Sequence, residues 1–207
     1  SLSAADKSAI KSNTDSFWDQ YQSTLEGYGI AKSSYELAAT EYEQKYQKVF
    51  NATYGKGGTK AVSDSELQNF FEKHYTDFSY ILCKLYKTDS SGNYSSSFSA
   101  AEKKKAEAAF NGYASKIKAG TMTLQQAADA YKSTDPTVSV QNKTINLDNY
   151  TQTEDLKKLL DGMKAGETKA AGLSGGYLYI LVTKGDITKK TAEEMKTDSG
   201  RSSLLTD

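Results

Sequence analysis

The feature that most limits how this chain can fold is a single change of hydrophobic period at Phe78. Before it, apolar side chains recur three and four residues apart, which keeps one face of a helix apolar. From Phe78 to Tyr86 they come instead as the run Phe78-Ser79-Tyr80-Ile81-Leu82-Cys83-Lys84-Leu85-Tyr86, rich in aromatic and branched residues, which fits the pleat of a strand. An N-terminal helical part therefore leads into a part that mixes strands and helices.

Three capping boxes punctuate the helices: Ser33-Ser34-Tyr35-Glu36, Ser63-Asp64-Ser65-Glu66 and Ser99-Ala100-Ala101-Glu102. Each sets a serine three residues before a glutamate, so that hydroxyl and carboxylate satisfy the free amides of a first turn. A first helix runs from Ser3 to Glu26, with Ile10, Phe17, Tyr21, Leu25 and Tyr28 as its stripe, Trp18 beside it, and Gly27 and Gly29 as its stop. The second carries Tyr35, Ala38, Ala39, Tyr42, Tyr46, Val49 and Phe50 on one face, a spacing that suits core packing. The third presents Leu67, Phe70, Phe71, His74, Tyr75 and Phe78.

The glycine-rich Tyr54-Gly55-Lys56-Gly57-Gly58-Thr59-Lys60 is a turn and not a phosphate loop, because it lacks the Lys-Ser/Thr pair at the required spacing and follows no strand.

After Phe78, the polar run from Lys87 to Ser97 reads as a loop, and a helix with Ala106, Phe110, Tyr113 and Ile117 inward ends at Gly120. A short helix from Leu124 to Tyr131, a turn at Ser133-Thr134-Asp135-Pro136 and a weak strand within Val138 to Leu147 follow. Leu156, Leu159, Leu160 and Met163 mark another short helix, and Tyr177 to Thr183 the last strand. The expected division is a helical lobe with its linker helix over 1–75, an α+β domain over 76–186, and over 187–207 the beginning of a further helical segment.

Composition excludes several functions. One histidine and one cysteine cannot supply a metal-ligand set or a disulfide framework, so neither metal nor cofactor is expected. Lysine plus arginine and aspartate plus glutamate each number 26, with neither sign in a long block, which argues against nucleic acid as a partner. The longest strongly apolar stretch, Tyr177 to Val182, is too short to span a bilayer, and Ser1-Leu2-Ser3-Ala4 lacks a signal pattern. Fifteen tyrosines, by contrast, keep ring area exposed behind a polar tip, which suits binding as well as packing. His74 reads as a packing residue. Cys83 reads as a small strand residue, since no basic neighbour is visible to activate its thiol.

Residues 78 to 184 resemble the parvulin family of peptidyl-prolyl isomerases, as embedded in extracytoplasmic foldases of the PrsA and SurA type. The resemblance is carried by Phe78-Ser79-Tyr80-Ile81-Leu82, by Lys118-Ala119-Gly120, and by Leu124-Gln125-Gln126-Ala127-Ala128 through Asp135-Pro136. It continues in Met163-Lys164-Ala165-Gly166-Glu167 and in Gly176-Tyr177-Leu178-Tyr179-Ile180-Leu181-Val182-Thr183. It implies a parvulin-like domain, a small antiparallel sheet with flanking helices, behind a helical chaperone-like lobe.

The same resemblance places the family's two histidines on Tyr80 and Leu178, its proline-pocket Met and Phe on Gln152 and Leu156, and its active-site Asp or Cys on Asp135. It thus implies a degenerate site: Asp135 as the remaining catalytic candidate, with Tyr80, Leu156, Gln152, Leu178 and Cys83 around the substrate. The implied function is binding of unfolded or proline-containing exported polypeptides outside the cytoplasmic membrane, with attachment through a lipid or an N-terminal helix outside these residues. Two alternatives stand beside it: an isomerase working without histidines, since the amide barrier of about 18–20 kcal/mol needs no covalent step, and a structural assembly domain whose groove is filled.

Overall fold

The computed structural model describes residues 1–149 and 154–206. They form two compact units, residues 1–64 with the chain from Thr197 onward, and residues 65–196. The fold is α+β: a helical unit, and a unit built on a small antiparallel sheet.

In the helical unit, α1 (Ala4–Gly27) starts at a capping box in which the Ser3 hydroxyl accepts from the Asp6 amide while the Asp6 carboxylate accepts from the Ser3 amide. After a reversal through Gly29, at φ 75°, the chain returns as α2 (Lys32–Tyr35), a π-helical segment Glu36–Glu41 and α3 (Tyr42–Tyr54). Most of the seam between the two strokes is polar. Gln44 donates to Asp6 at 3.1 Å and Lys48 pairs with it, Thr14 and Thr40 share a hydroxyl hydrogen bond of 2.6 Å, and Lys32 pairs with Asp15 at 2.7 Å. Phe17 stacks on Tyr35 with ring centroids 4.7 Å apart.

The stripe read from the sequence is therefore shifted. Ile10, Thr14 and Trp18 are the buried residues of α1, with Phe17 and Tyr21 at the surface, and α3 buries none of its residues. For α3 the physical reason is the π-helical segment Glu36–Glu41, which widens one turn and rotates the residues beyond it away from the 3.6-residue spacing. The expected cap at Ser33 does not form, because the helix begins two residues earlier, with Ala31 at its N-cap.

The tail differs from expectation too. Residues 187–207 do not form one segment: α8 (Ile187–Glu194) belongs to the sheet unit and α9 (Asp198–Thr206) to the helical unit. There Arg201 is buried, its Nε donating to Asp64 at 2.7 Å and its guanidinium also to the Val62 carbonyl, while Leu204 is buried beside it. The helix read as a linker, α4 (Asp64–His74), likewise joins the sheet unit from Ser65 on, so the boundaries fall at 64/65 and 196/197 and not at 75/76 and 186/187.

The sheet unit turns on β1 (Tyr75–Lys84). It pairs antiparallel with β4 (Gln141–Asn146) on one side and with β6 (Leu178–Lys184) on the other, and β6 pairs with β5 (Thr168–Gly172), giving the order β4-β1-β6-β5. One sheet face packs against α5 (Ala100–Lys118) and α6 (Leu124–Tyr131), the other against α7 (Glu154–Asp161). The cap expected at Ser99 forms with Glu102, and an unforeseen one, Thr123 with Gln126, opens α6. The run read as a loop over 87–97 contains a hairpin, β2 (Tyr86–Thr88) with β3 (Tyr94–Ser97). Asp89 nucleates its turn by accepting from the amides of Ser91 and Asn93, both at 2.9 Å, ahead of Gly92 at φ 82°.

Where β6 leaves the sheet, a Cβ on Gly185 would lie 2.0 Å from an Asp77 carboxylate oxygen. That carboxylate is held in place, accepting from Lys190 of α8 at 2.9 Å and from Thr144 at 2.8 Å. Gly185→Ala is expected to lower stability by about 1–3 kcal/mol through overpacking, read in urea denaturation. In the helical unit the Asp6 carboxyl is held well below the ordinary carboxylate range, first by Lys48 and then by the Ser3 hydroxyl and amide. A lowered folded-state pKa adds stability that is fully present above about pH 4 and fades as pH falls toward the lowered value. Trp18 fluorescence should show acid loosening of this unit in that window, and Asp6→Asn should lower its Tm at neutral pH and flatten the acid limb.

Candidate functional site

Strand alternation sorts the candidate residues. Phe78, Tyr80 and Leu82 of β1 and Leu178, Ile180 and Val182 of β6 share the face under α7 with Leu156, Leu160 and Met163. Lys184 fixes α7 there by donating to the carbonyls of Leu160 at 2.7 Å and Met163 at 2.9 Å, at the end of the helix and just beyond it. Phe78, Ile180 and Val182 are fully covered, while Tyr80, Leu82, Leu159 and Leu178 stay half-exposed and form an apolar rim. Tyr80 leans on Phe78, with ring centroids 5.6 Å apart. Thus Tyr80, Leu178 and Leu156 do share one face, Leu156 as its buried floor. Gln152 lies outside the described residues.

Cys83 and Asp135 stand on the other side. Cys83 points with Ile81 and Leu85 into the core under α5 and α6, is 1% exposed, and meets the Tyr131 hydroxyl at 3.0 Å. Burial pushes the thiol pKa up, the Tyr131 hydrogen bond opposes this, and the Asp135 charge adds to it; burial and the Cys83 contact likewise raise the Tyr131 phenol. Cys83 is thus not accessible to a substrate beside Tyr80. Asp135, half-buried just past the end of α6, has its Oδ1 fixed by the Thr137 amide at 2.9 Å and hydroxyl at 2.7 Å.

Asp135 borders a cavity of about 240 Å³ with Lys84, Tyr86, Phe98 and Tyr131; a second, of about 380 Å³, runs between α5 and α6 past Tyr113 and Ala109. Both are lined by Phe98, Tyr131 and Thr134. Beside the smaller one, Tyr86, Tyr94 and Tyr177 form a triad, with centroids 5.8 Å apart for Tyr86–Tyr94 and 6.3 Å for Tyr94–Tyr177. The sequence reading missed this cluster. Its local signal was a tyrosine at each arm of a polar segment that turns through Asp89-Ser90-Ser91-Gly92-Asn93.

His74 packs on Phe70, with centroids 4.8 Å apart, and its Nδ1 contacts the Asp148 carboxylate, a partner that no short-range motif reveals. Among the described residues no cluster of three or more His, Cys, Asp or Glu side chains could hold a metal ion, and no helix is long and apolar enough to cross a membrane.

No protein-family model matches the chain, and no curated protein matches it. Solved structures it is similar to include foldase proteins. They include foldase protein PrsA from Streptococcus pneumoniae, at 12% identity and TM-score 0.39 over 98% of this chain and 67% of that one. They also include PrsA from Bacillus subtilis, at 13% and 0.33 over 99% and 73%, and the foldase protein PrsA from Lactococcus lactis, at 15% and 0.33 over 95% and 71%. At such identities and TM-scores no residue role carries from one chain to the other.

The Cys83 thiol is expected to resist a thiol-specific chromogenic reagent in the folded protein and to react fully on unfolding. Tyr131→Phe, which removes its partner, should cost about 1 kcal/mol, measured by the same denaturation.

Proposed function

We propose that this protein is a folding factor that holds unfolded polypeptide segments through exposed aromatic and aliphatic area, its sheet unit being a degenerate parvulin-like domain. The observation that carries this reading is the outer face of the helix from Lys32 to Tyr54. Leu37, Tyr42, Tyr46 and Val49 are half or more exposed there, and no residue of α3 is buried. A monomeric protein rarely exposes large apolar side chains in such density unless the surface meets something. The half-open rim of Tyr80, Leu82 and Leu178 offers a second apolar surface, in the unit whose sequence carries the parvulin resemblance.

Binding without efficient isomerisation is the form of the reading the site favours. Tyr80 and Leu178 stand where the resemblance implies histidines, and Asp135 stands on the opposite side of the sheet from them. By the same resemblance, the protein works outside the cytoplasmic membrane on exported clients.

The test is light scattering of a reduced, unfolded lysozyme solution in the presence of the full chain. Suppressed aggregation, lost in a Leu37→Ser, Tyr46→Ser, Val49→Ser triple variant that keeps its circular dichroism, is the expected result. Unchanged aggregation at excess protein overturns the reading. In parallel, exchange of a proline tetrapeptide should stay at its uncatalysed rate; acceleration abolished by Tyr80→Ala would establish the isomerase alternative instead.

A further inference from the structure

Resting on the reading that this protein binds polypeptide, we propose that the groove over Phe98, Tyr131 and Thr134 is a separate subsite for an extended segment presenting a lysine or arginine side chain to Asp135. The two cavities of about 240 and 380 Å³ share those three residues, so the α5/α6 cleft and the Asp135 end adjoin across the Phe98 and Tyr131 rings. Such a concave, mostly apolar surface with a few placed polar groups is the usual form of a ligand site.

Charge decides what the occupant must carry. Asp135 is half-buried and oriented by Thr137 through one carboxylate oxygen, and among the described residues no cation lies within ion-pair distance of it. A partly desolvated carboxylate held in a fixed direction gains from an incoming cation and needs little rearrangement to receive it. The lysines that line the same cavity are otherwise disposed: Lys87 is bound to Glu102 at 2.9 Å, and Lys84 is exposed. An acidic ligand would gain little there, because a pair formed with an exposed lysine is worth little.

The tyrosines point the same way. Tyr86 lines the Asp135 cavity and leads to Tyr94 and Tyr177, both exposed. Aromatic faces attract ammonium and guanidinium groups and cover their aliphatic stems. One end of the groove thus combines the Asp135 carboxylate with the rings of Tyr86 and Tyr131, which line the same cavity, a pairing that selects a basic side chain over an acidic or a neutral one.

The test uses fluorescein-labelled nonapeptides of alanine, leucine and phenylalanine with lysine, norleucine or glutamate at the centre, titrated with the full chain by fluorescence anisotropy. The lysine peptide should bind about tenfold more tightly than the norleucine peptide, and the glutamate peptide most weakly. Asp135→Asn, which preserves the Thr137 contacts, should remove the difference between lysine and norleucine. Ala109→Trp, which fills the cleft from a partly exposed position, should weaken all three. Equal affinity for lysine and norleucine, tighter binding of glutamate, or a lysine preference that survives Asp135→Asn overturns the subsite. Aggregation suppression is read separately. If it is intact without a lysine preference, this groove fails alone; if it is lost while the preference remains, the folding-factor role fails alone.

Discussion

The sheet unit depends on one strand buried on both faces. β1 sends Phe78, Tyr80 and Leu82 one way and Ile81 and Cys83 the other, and it is hydrogen-bonded along both edges, to β4 and to β6. Fully burying an aliphatic or phenylalanine side chain is worth roughly 1.5–3 kcal/mol, so a strand that fills two cores at once fixes the helices on either side. Phe110 of α5 on one face and Leu160 of α7 on the other, each wholly buried, are the matching pieces. Both candidate surfaces in this unit border one of those cores: the Tyr80 rim beside the residues packed under α7, and the Asp135 groove beside Phe98 and Tyr131.

The helical unit is organised differently. Its hairpin is joined through Asp6 with Lys48 and Gln44, the Thr14–Thr40 hydroxyl pair, and Asp15 with Lys32, alongside a short buried row of Ile10 and Trp18. A seam held largely by polar pairs does not consume the aromatic and aliphatic side chains of the second helix, which remain outside. That division of labour, polar groups for cohesion and apolar groups for the surface, explains how a protein with so many tyrosines leaves many of them in solvent.

Much of the architecture was legible along the chain. The helix from Leu124 to Tyr131, the cap at Ser99, the inward row of Ala106 and Phe110 and a strand through Phe78 all follow from local pattern and stand in the structure, but the strand begins at Tyr75, so Tyr75 and Phe78, read as the end of a helical face, belong to β1. The misses have specific causes. The π-helical segment alters the period within one helix, so the spacing of Tyr42 and Tyr46 pointed to a core that is not there. Strand β5, Thr168–Gly172, is short and alanine-rich, with Thr168 its single branched residue. The hairpin of Tyr86 and Tyr94 hides in serines that any loop could contain.

The site divides along the same line. From residue identity came the scarcity of histidine and cysteine, and from the parvulin resemblance the set Tyr80, Leu156, Gln152, Leu178, Cys83 and Asp135. Only the tertiary structure sorted that set, placing Tyr80, Leu156 and Leu178 beneath α7, burying Cys83, and moving Asp135 to a groove with Tyr86 and Tyr131. The reason is physical. Side-chain identity and local periodicity are properties of a few neighbouring residues. Which face of a twisted sheet a residue shares is set by pairing across long sequence separations, here Tyr80 opposite Val182 and Cys83 opposite Tyr179, and such pairing leaves no mark on any short stretch of the chain.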